Sequence, residues 1–206
     1  ETCEGTIVDP FFPAPVNTYN PALHAIIESI FAAFGESAPQ FARADGGGGR
    51  AMTLAHVIDR KTLIQYELFA GGVGAMQDYD GENGCHCNQT NGKVTSIEML
   101  ETEFPIRVEQ FKVLKNSGGE GQFRGGCGFV RTYKILDGVT SVTLRSSKHG
   151  IHPLGVNGGG DAQGGFCEIE VSRTTTRLAS MQSGVTLKPG DRLTLGTPGG
   201  GGYGAA

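Results

Sequence analysis

The stretch Phe129-Val130-Arg131-Thr132-Tyr133-Lys134-Ile135-Leu136-Asp137-Gly138-Val139-Thr140-Ser141-Val142-Thr143-Leu144-Arg145 settles the fold class. Both halves are rich in β-branched and aromatic residues, and Asp-Gly is a dipeptide that tight two-residue turns favour. Two antiparallel strands joined as a hairpin at Asp137-Gly138 are therefore expected.

On either side of it, further strand-like runs occupy residues 108–115, 166–172, 177–181 and 192–195. Lys188-Pro189-Gly190-Asp191 reads as a type II turn, with proline and glycine in its central positions. Six short strands with such turns predict an antiparallel sandwich or a barrel-like structure. Towards the N-terminus, residues 62–69 form one more strand candidate, ending in Gly71-Gly72-Val73-Gly74-Ala75. Before it, Leu23, Ile26, Ile27, Ile30, Phe31 and Phe34 recur at helical spacing. That helix would be capped by Asn20, start on Pro21 and close at Gly35. His24 and Glu28 lie off the deepest part of the stripe and read as a solvated i,i+4 pair. The fold class is α+β and predominantly β, with a mixed α/β segment over residues 1–105 and a β-rich domain over 106–206. Phe104-Pro105 marks the soft boundary.

Glycine is the compositional anomaly. There are 34 in 206 residues, where an average domain has roughly 7%. Without a Gly-X-Y period, the pattern reads as short strands joined by turns that need positive φ. A net charge of −4 with scattered Lys and Arg argues against nucleic acid as a partner. No apolar run reaches the length of a membrane span. Five cysteines, an odd number, suggest free thiols and a cytoplasmic protein.

Several chemistries can be weighed from spacing. Gly92-Lys93 is followed by Val94, and Cys87 stands where a phosphate loop needs its first glycine. Gly72-Val73-Gly74 has Gln77 in place of the third glycine of a dinucleotide fingerprint. Residues 78–83 begin like a calcium loop, but Asn83 and Gln89 occupy positions that need glycine and glutamate, so the segment reads as a turn. Cys85-His86-Cys87 are the metal-ligand candidates, although no second pair stands nearby and no metal is expected. Glu98, Glu101 and Glu103 read as a polar face.

Two segments call for a further explanation. One runs from Asn116 to Gly128 and contains Ser117-Gly118-Gly119 and Arg124-Gly125-Gly126; the other is Gly196-Thr197-Pro198-Gly199-Gly200-Gly201-Gly202-Tyr203-Gly204. Both read as places where backbone passes very close to another strand, a partner subunit or an anion. Arg124, set in the first of these glycine-rich runs, is placed to clamp a carboxylate. Ser117, Gly118, Gly119, Arg124, Gly125, Gly126 and His149 are the candidate binding residues.

These two segments resemble the signature stretches of the hydantoinase B/oxoprolinase family: Ser-Gly-Gly-x-Gly-x-x-Arg-Gly-Gly-x-Gly and Thr-Pro-Gly-Gly-Gly-Gly-Tyr-Gly. Pro13-Ala14-Pro15-Val16, Gly71 to Ala75 before Asp80-Gly81, Ile97-Glu98-x-x-Glu101-x-Glu103-x-Pro105 and Pro153-Leu154-Gly155 with Gly158-Gly159 match in order. The resemblance implies the C-terminal portion of a longer B-type subunit, as in N-methylhydantoinase or acetophenone carboxylase, inactive alone. It implies a hydantoinase A-type partner that uses ATP and Mg to phosphorylate a cyclic amide or a ketone. It also implies a divalent metal (Zn or Mn) in the N-terminal part of the B-type polypeptide. Hydrolysis of a cyclic amide is the expected reaction. Ketone carboxylation and a non-catalytic assembly role are the alternatives, and no catalytic residue carries over.

Overall fold

The computed structural model describes residues 2–14, 20–86, 88, 90 and 92–206. In chain order come α1 (Asn20–Ser37), a 3₁₀ turn (Pro39–Phe41), β1 (Gly49–Ile58), β2 (Lys61–Ala70), α2 (Ile97–Glu103), β3 (Ile106–Val113), β4 (Phe129–Ile135) and β5 (Val139–Ser146). They are followed by β6 (Phe166–Val171), β7 (Thr174–Arg177), β8 (Met181–Leu187) and β9 (Arg192–Gly196). The strands form two antiparallel sheets, ordered β2-β1-β5-β8 and β3-β4-β9-β6-β7. Met52, Leu54, Val142, Leu144 and Leu187 from the first sheet share one core with Ile106, Tyr133, Ile135, Cys167, Leu193 and Leu195 from the second. The expected α+β, predominantly β sandwich is what the chain forms.

Local rules place most elements. β1 alternates, burying Arg50, Met52, Leu54 and His56 and leaving the residues between them partly exposed. The β1–β2 turn uses Asp59 (φ 47°) and Arg60 (φ 66°), so two non-glycine residues take left-handed conformations. Ser172 (φ 51°) and Arg173 (φ 66°) repeat the device between β6 and β7. That turn brings β7 back early, so the strand expected over 177–181 is instead the end of β7, a connection, and the start of β8. α2 begins at Ser96, whose hydroxyl accepts from the Met99 N–H at 3.3 Å, and buries Leu100. Helical spacing alone does not point to α2. Lys188 to Asp191 is the expected turn, with Gly190 at φ 96° and the Asp191 N–H donating to Lys188 O at 3.0 Å.

Three expectations need correction. Asp137-Gly138 does turn the chain, with Gly138 at φ 69°, but β4 and β5 are not a hairpin. They belong to different sheets, β5 pairing with β1 and β8. A turn signal fixes the reversal, whereas burial on two faces decides which strand is the neighbour. α1 does not close at Gly35 but runs on to Ser37, and the missing side chain at Gly35 instead makes room for Ala42, whose Cβ an added Cβ would meet at 3.0 Å. The capping contact expected of Asn20 lies outside the described part of that residue. Finally, His24 is buried and Glu28 half-buried, so this pair faces the body and not solvent. The soft boundary near residue 105 runs through shared structure, since β1 and β2 pair into the same sheet as β5 and β8.

Candidate functional site: a polyglycine web and the charges around it

Beside the sandwich, backbone segments from across the chain gather around residues 198–203. Their hydrogen bonds advance by threes. Gly199 and Gly202 donate to Gln163 O and Gly160 O, and Gly200 and Tyr203 donate to Gly126 O and Phe123 O, all at 2.8–3.1 Å. Pro198 O and Gly201 O accept from the Gly72 and Ala75 N–H groups at 2.9 Å, and Gly201 donates to Asp45 O at 2.8 Å. A strand would present neighbours every two residues. A three-residue advance is that of the polyproline II helix, here packed laterally against several partners.

Space, not φ, is why glycine fills this web. Gly199 to Gly202 are all absent from the positive-φ residues. A Cβ on Gly199, Gly200, Gly201 or Gly202 would overlap the carbonyl oxygen of Ser117, Val73, Leu154 or Glu120 respectively. Gly118, Gly119, Gly125 and Gly126 are equally enclosed by backbone of residues 125, 160, 200 and 82. The expectation of close backbone approach holds, and the neighbour is this chain's own backbone. The expectation that the glycines chiefly supply positive φ does not, because most do not adopt it.

The web also engages several of the amides that an anion would need. Gly119, Gly125 and Gly126 donate to Gly200 O, Gly119 O and Val73 O at 2.9 Å, and Gly128 donates to the Ser117 hydroxyl at 2.9 Å. Ser117 is fully buried and donates in turn to Leu114 O at 2.7 Å. Asp80 and Asn83 accept from the Arg124 and Cys127 N–H groups, each at 2.7 Å, so the acidic turn staples the web's rim.

Arg124 itself is exposed, and its Nη1 lies 3.7 Å from Cys127 Sγ. Burial opposes ionisation of Cys127. Even so, the N–H groups of Gly118 and Ser117, the Ser117 hydroxyl and Arg124 together hold its thiol below the ordinary value. Ser117, Gly118, Gly119, Gly125 and Gly126 thus come together, with Arg124 at their edge. His149 is held by different neighbours. Its Nε2 lies 3.0 Å from Leu178 O and its Nδ1 3.5 Å from Arg50 Nη2. Since a guanidinium only donates, this is the neutral Nε2–H tautomer. Burial, then the Arg50 charge, lowers its pKa. Arg50 is buried and donates through Nη1 to Phe166 O (2.8 Å) and Gly196 O (2.5 Å), clamping one sheet to the other; burial lowers its pKa to about 10.

Two charged groupings extend beyond the sequence signal, which shows only the i,i+4 spacing of His24 and Glu28. Lys148 Nζ pairs with Asp45 (2.5 Å) and Glu28 (3.4 Å), while Glu28 accepts from the Gly46 N–H (3.0 Å) and meets His24 Nδ1 (3.4 Å). Burial opposes both charges, but the pairing prevails: the Glu28 pKa is lowered and that of Lys148 raised. This knot ties α1 to the web. Between the sheets, Glu67 accepts from Gln65 Nε2 (2.6 Å), Tyr133 OH (2.7 Å) and Arg131 Nη1 (2.7 Å). His56 continues the chain to Gln65 (3.0 Å) and Thr140 (2.9 Å), and Phe111 stacks 4.1 Å from the Arg131 guanidinium. These residues come from β1, β2, β3, β4 and β5, and only the strand pairing shows that they meet.

Among the described residues, no three His, Cys, Asp or Glu side chains gather as a metal site. Cys85 is exposed, burial lowers the His86 pKa, and Cys87 lies outside the described residues.

The two-sheet architecture is that of the ATP-dependent caprolactamase from Pseudomonas jessenii, with a TM-score of 0.84 at 24% identity over 98% of this chain and 37% of that one. The chain belongs to the hydantoinase B/oxoprolinase family, whose model matches residues 1–206. It is 32% identical to 5-oxoprolinase of Dictyostelium discoideum over 70% of its length and 11% of that protein. It is 26% identical to a protein named as the B-type subunit of a D-/L-hydantoinase from Pseudomonas sp. (strain NS671), over 98% of this chain and 34% of that one. The chain therefore spans about a third or less of the relatives it matches, and the family resemblance of the two glycine runs holds.

Proposed function

We propose that the chain is the C-terminal portion of the B-type subunit of an ATP-dependent hydantoinase/oxoprolinase-like enzyme that hydrolyses a cyclic amide. The family match across residues 1–206 carries this reading. An unactivated lactam is a poor electrophile. Phosphoryl transfer from ATP to its carbonyl oxygen supplies the driving force, after which water opens the ring C–N bond, nitrogen takes up a proton, and phosphate leaves. On this reading ATP and Mg belong to an A-type subunit, and a Zn or Mn ion to the rest of the B-type chain. The web fits that division, since the N–H groups of Gly119, Gly125, Gly126 and Gly199 to Gly202 already donate to this chain's own carbonyls and are not open to a phosphate. Its part is to form a rigid wall that excludes bulk water from the reacting carbon, with Arg124 at the rim for a ligand or partner carboxylate. The assembly is cytoplasmic, and this chain is inactive alone.

The test is reconstitution with an A-type subunit and the rest of the B-type chain, supplied with hydantoin, 5-oxoproline or caprolactam. Ring opening coupled to phosphate release is expected only in the complete assembly, without bicarbonate. Turnover of a ketone that depends on bicarbonate would replace hydrolysis by carboxylation. Tight one-to-one ATP binding by the isolated chain in calorimetry would overturn the division of labour. Within the active assembly, Arg124→Ala is expected to lower turnover or assembly at least tenfold. Arg173→Ala, in the exposed β6–β7 turn, is expected to change neither, and equal effects would return Arg124 to an ordinary surface role.

A further inference from the structure

α1 is mounted with its polar pair inward. His24 is buried, Glu28 is held by Lys148 and the Gly46 N–H, Gly35 packs on Ala42, and Arg43 lies 5.6 Å over the Phe31 ring. Contacts at several levels along the helix therefore fix its rotation. The consequence is an apolar stripe pointing away from the body: Leu23, Ile26, Ile30 and Phe34 are 38%, 41%, 49% and 58% exposed. Beside it run Ala22, Ala25, Ser29 and Ala33, small residues on which another backbone can approach closely. Ile7 and Val8 close the other side of the resulting groove, and Phe11 and Phe12 stand exposed near Ile7 in sequence.

A helix whose outer face meets water carries charges there, yet none of these eight helix residues is charged. An uncharged apolar face marks a surface that another protein element covers, and the lack of charge is the character of lasting interfaces. Relatives that match nearly all of this chain are about three times its length: residues equivalent to this chain make up 34% of the Pseudomonas hydantoinase polypeptide and 37% of the caprolactamase chain. The remaining two thirds of such a polypeptide is the companion of fitting size and permanence.

We infer that the outward stripe of α1, with Ile7 and Val8, is the docking surface for an apolar element in the remaining part of a hydantoinase B-type polypeptide. This rests on the proposed reading of the chain as one portion of a B-type polypeptide. Ser29→Cys, exposed in mid-groove, supplies the probe. The affinity-tagged variant is isolated alone and as the assembly from its native cells, and maleimide labelling is read on the peptide containing residue 29, apart from exposed Cys3 and Cys85. Labelling is expected to slow at least tenfold in the assembly. A benzophenone-maleimide at the same position is expected to crosslink to a hydantoinase B-type peptide outside residues 1–206. Ile26→Glu with Ile30→Glu is expected to abolish co-purification while circular dichroism of the chain stays unchanged. Unprotected labelling, crosslinking to a second copy of this chain, or crosslinking to a polypeptide without hydantoinase B sequence would each overturn the proposal. None of these readouts requires turnover. An assembly protected at residue 29 but inactive on cyclic amides removes the hydrolase reading alone, whereas an active assembly unprotected there removes the docking surface alone.

Discussion

Glu67 accepts three hydrogen bonds between the two sheets, and Arg131 supplies the opposite charge there. Removing one member of a buried pair strands the other without compensation. Arg131→Ala is expected to cost about 3–5 kcal/mol in denaturant unfolding; a loss below about 1 kcal/mol would mean that the ladder is hydrated. Tyr133, whose pKa burial and then Glu67 raise well above the ordinary value, stays a neutral donor. The ladder is hidden in the sequence because Gln65 and Glu67 occupy inward positions of β2, while Ile64 and Tyr66 face out. Alternation is legible there; which phase is buried is not. His149 gives a second expectation of this kind. Its folded pKa lies below the ordinary 6.5, because of burial and then Arg50, so the unfolded chain binds the extra proton first. Stability is then full above about pH 6.5 and falls as pH drops through and below that value. His56 and His86 act in the same direction, chiefly through burial. His149→Gln is expected to reduce the fall in denaturation midpoint between pH 8 and pH 5. An unchanged fall would assign it to the other two histidines. Glu28, with its lowered pKa, contributes a separate loss below about pH 4.5.

Among the elements, the strands are the readable part. Runs at 62–69, 108–115, 129–136, 139–145, 166–172 and 192–195 correspond to β2, β3, β4, β5, β6 and β9 within a few residues. β1 escapes a reading by pattern, since Arg50 and His56 take two of its four buried positions and dilute its apolar signal. The stripe of α1 is legible as a contact face. A periodicity states that a face needs covering, though, and not by which body, so the inward side goes to His24 and Glu28 instead. The glycine segments are legible as close approach, but their partners are set by pairings between residues as distant as 45 and 201. Gly200→Ala is expected to destabilise by about 3 kcal/mol or more, because its Cβ would meet the backbone of Val73 and backbone cannot swing aside. Gly184→Ala, with open space around it but φ 74°, is expected to cost only about 1 kcal/mol. Equal unfolding midpoints for the two variants would remove the steric account of the web.

For the molecule in its entirety, strands from both sides of residue 105 share a sheet, and residues from both sides share the core. Calorimetry is therefore expected to show one cooperative transition, with calorimetric and van't Hoff enthalpies equal. Two resolved transitions would revive residue 105 as a boundary between folding units. Beside the core, the glycine web is joined chiefly backbone to backbone, and Lys148, Asp45 and Glu28 next to it bond one another. The three-residue advance of residues 198–203 has a consequence for length. Removing one residue from that segment turns everything beyond it by a third of a revolution, handing each amide to the wrong neighbour, whereas removing three restores the phase. The web thus reads its own chain in triplets, and changes of length there are admissible only in that unit.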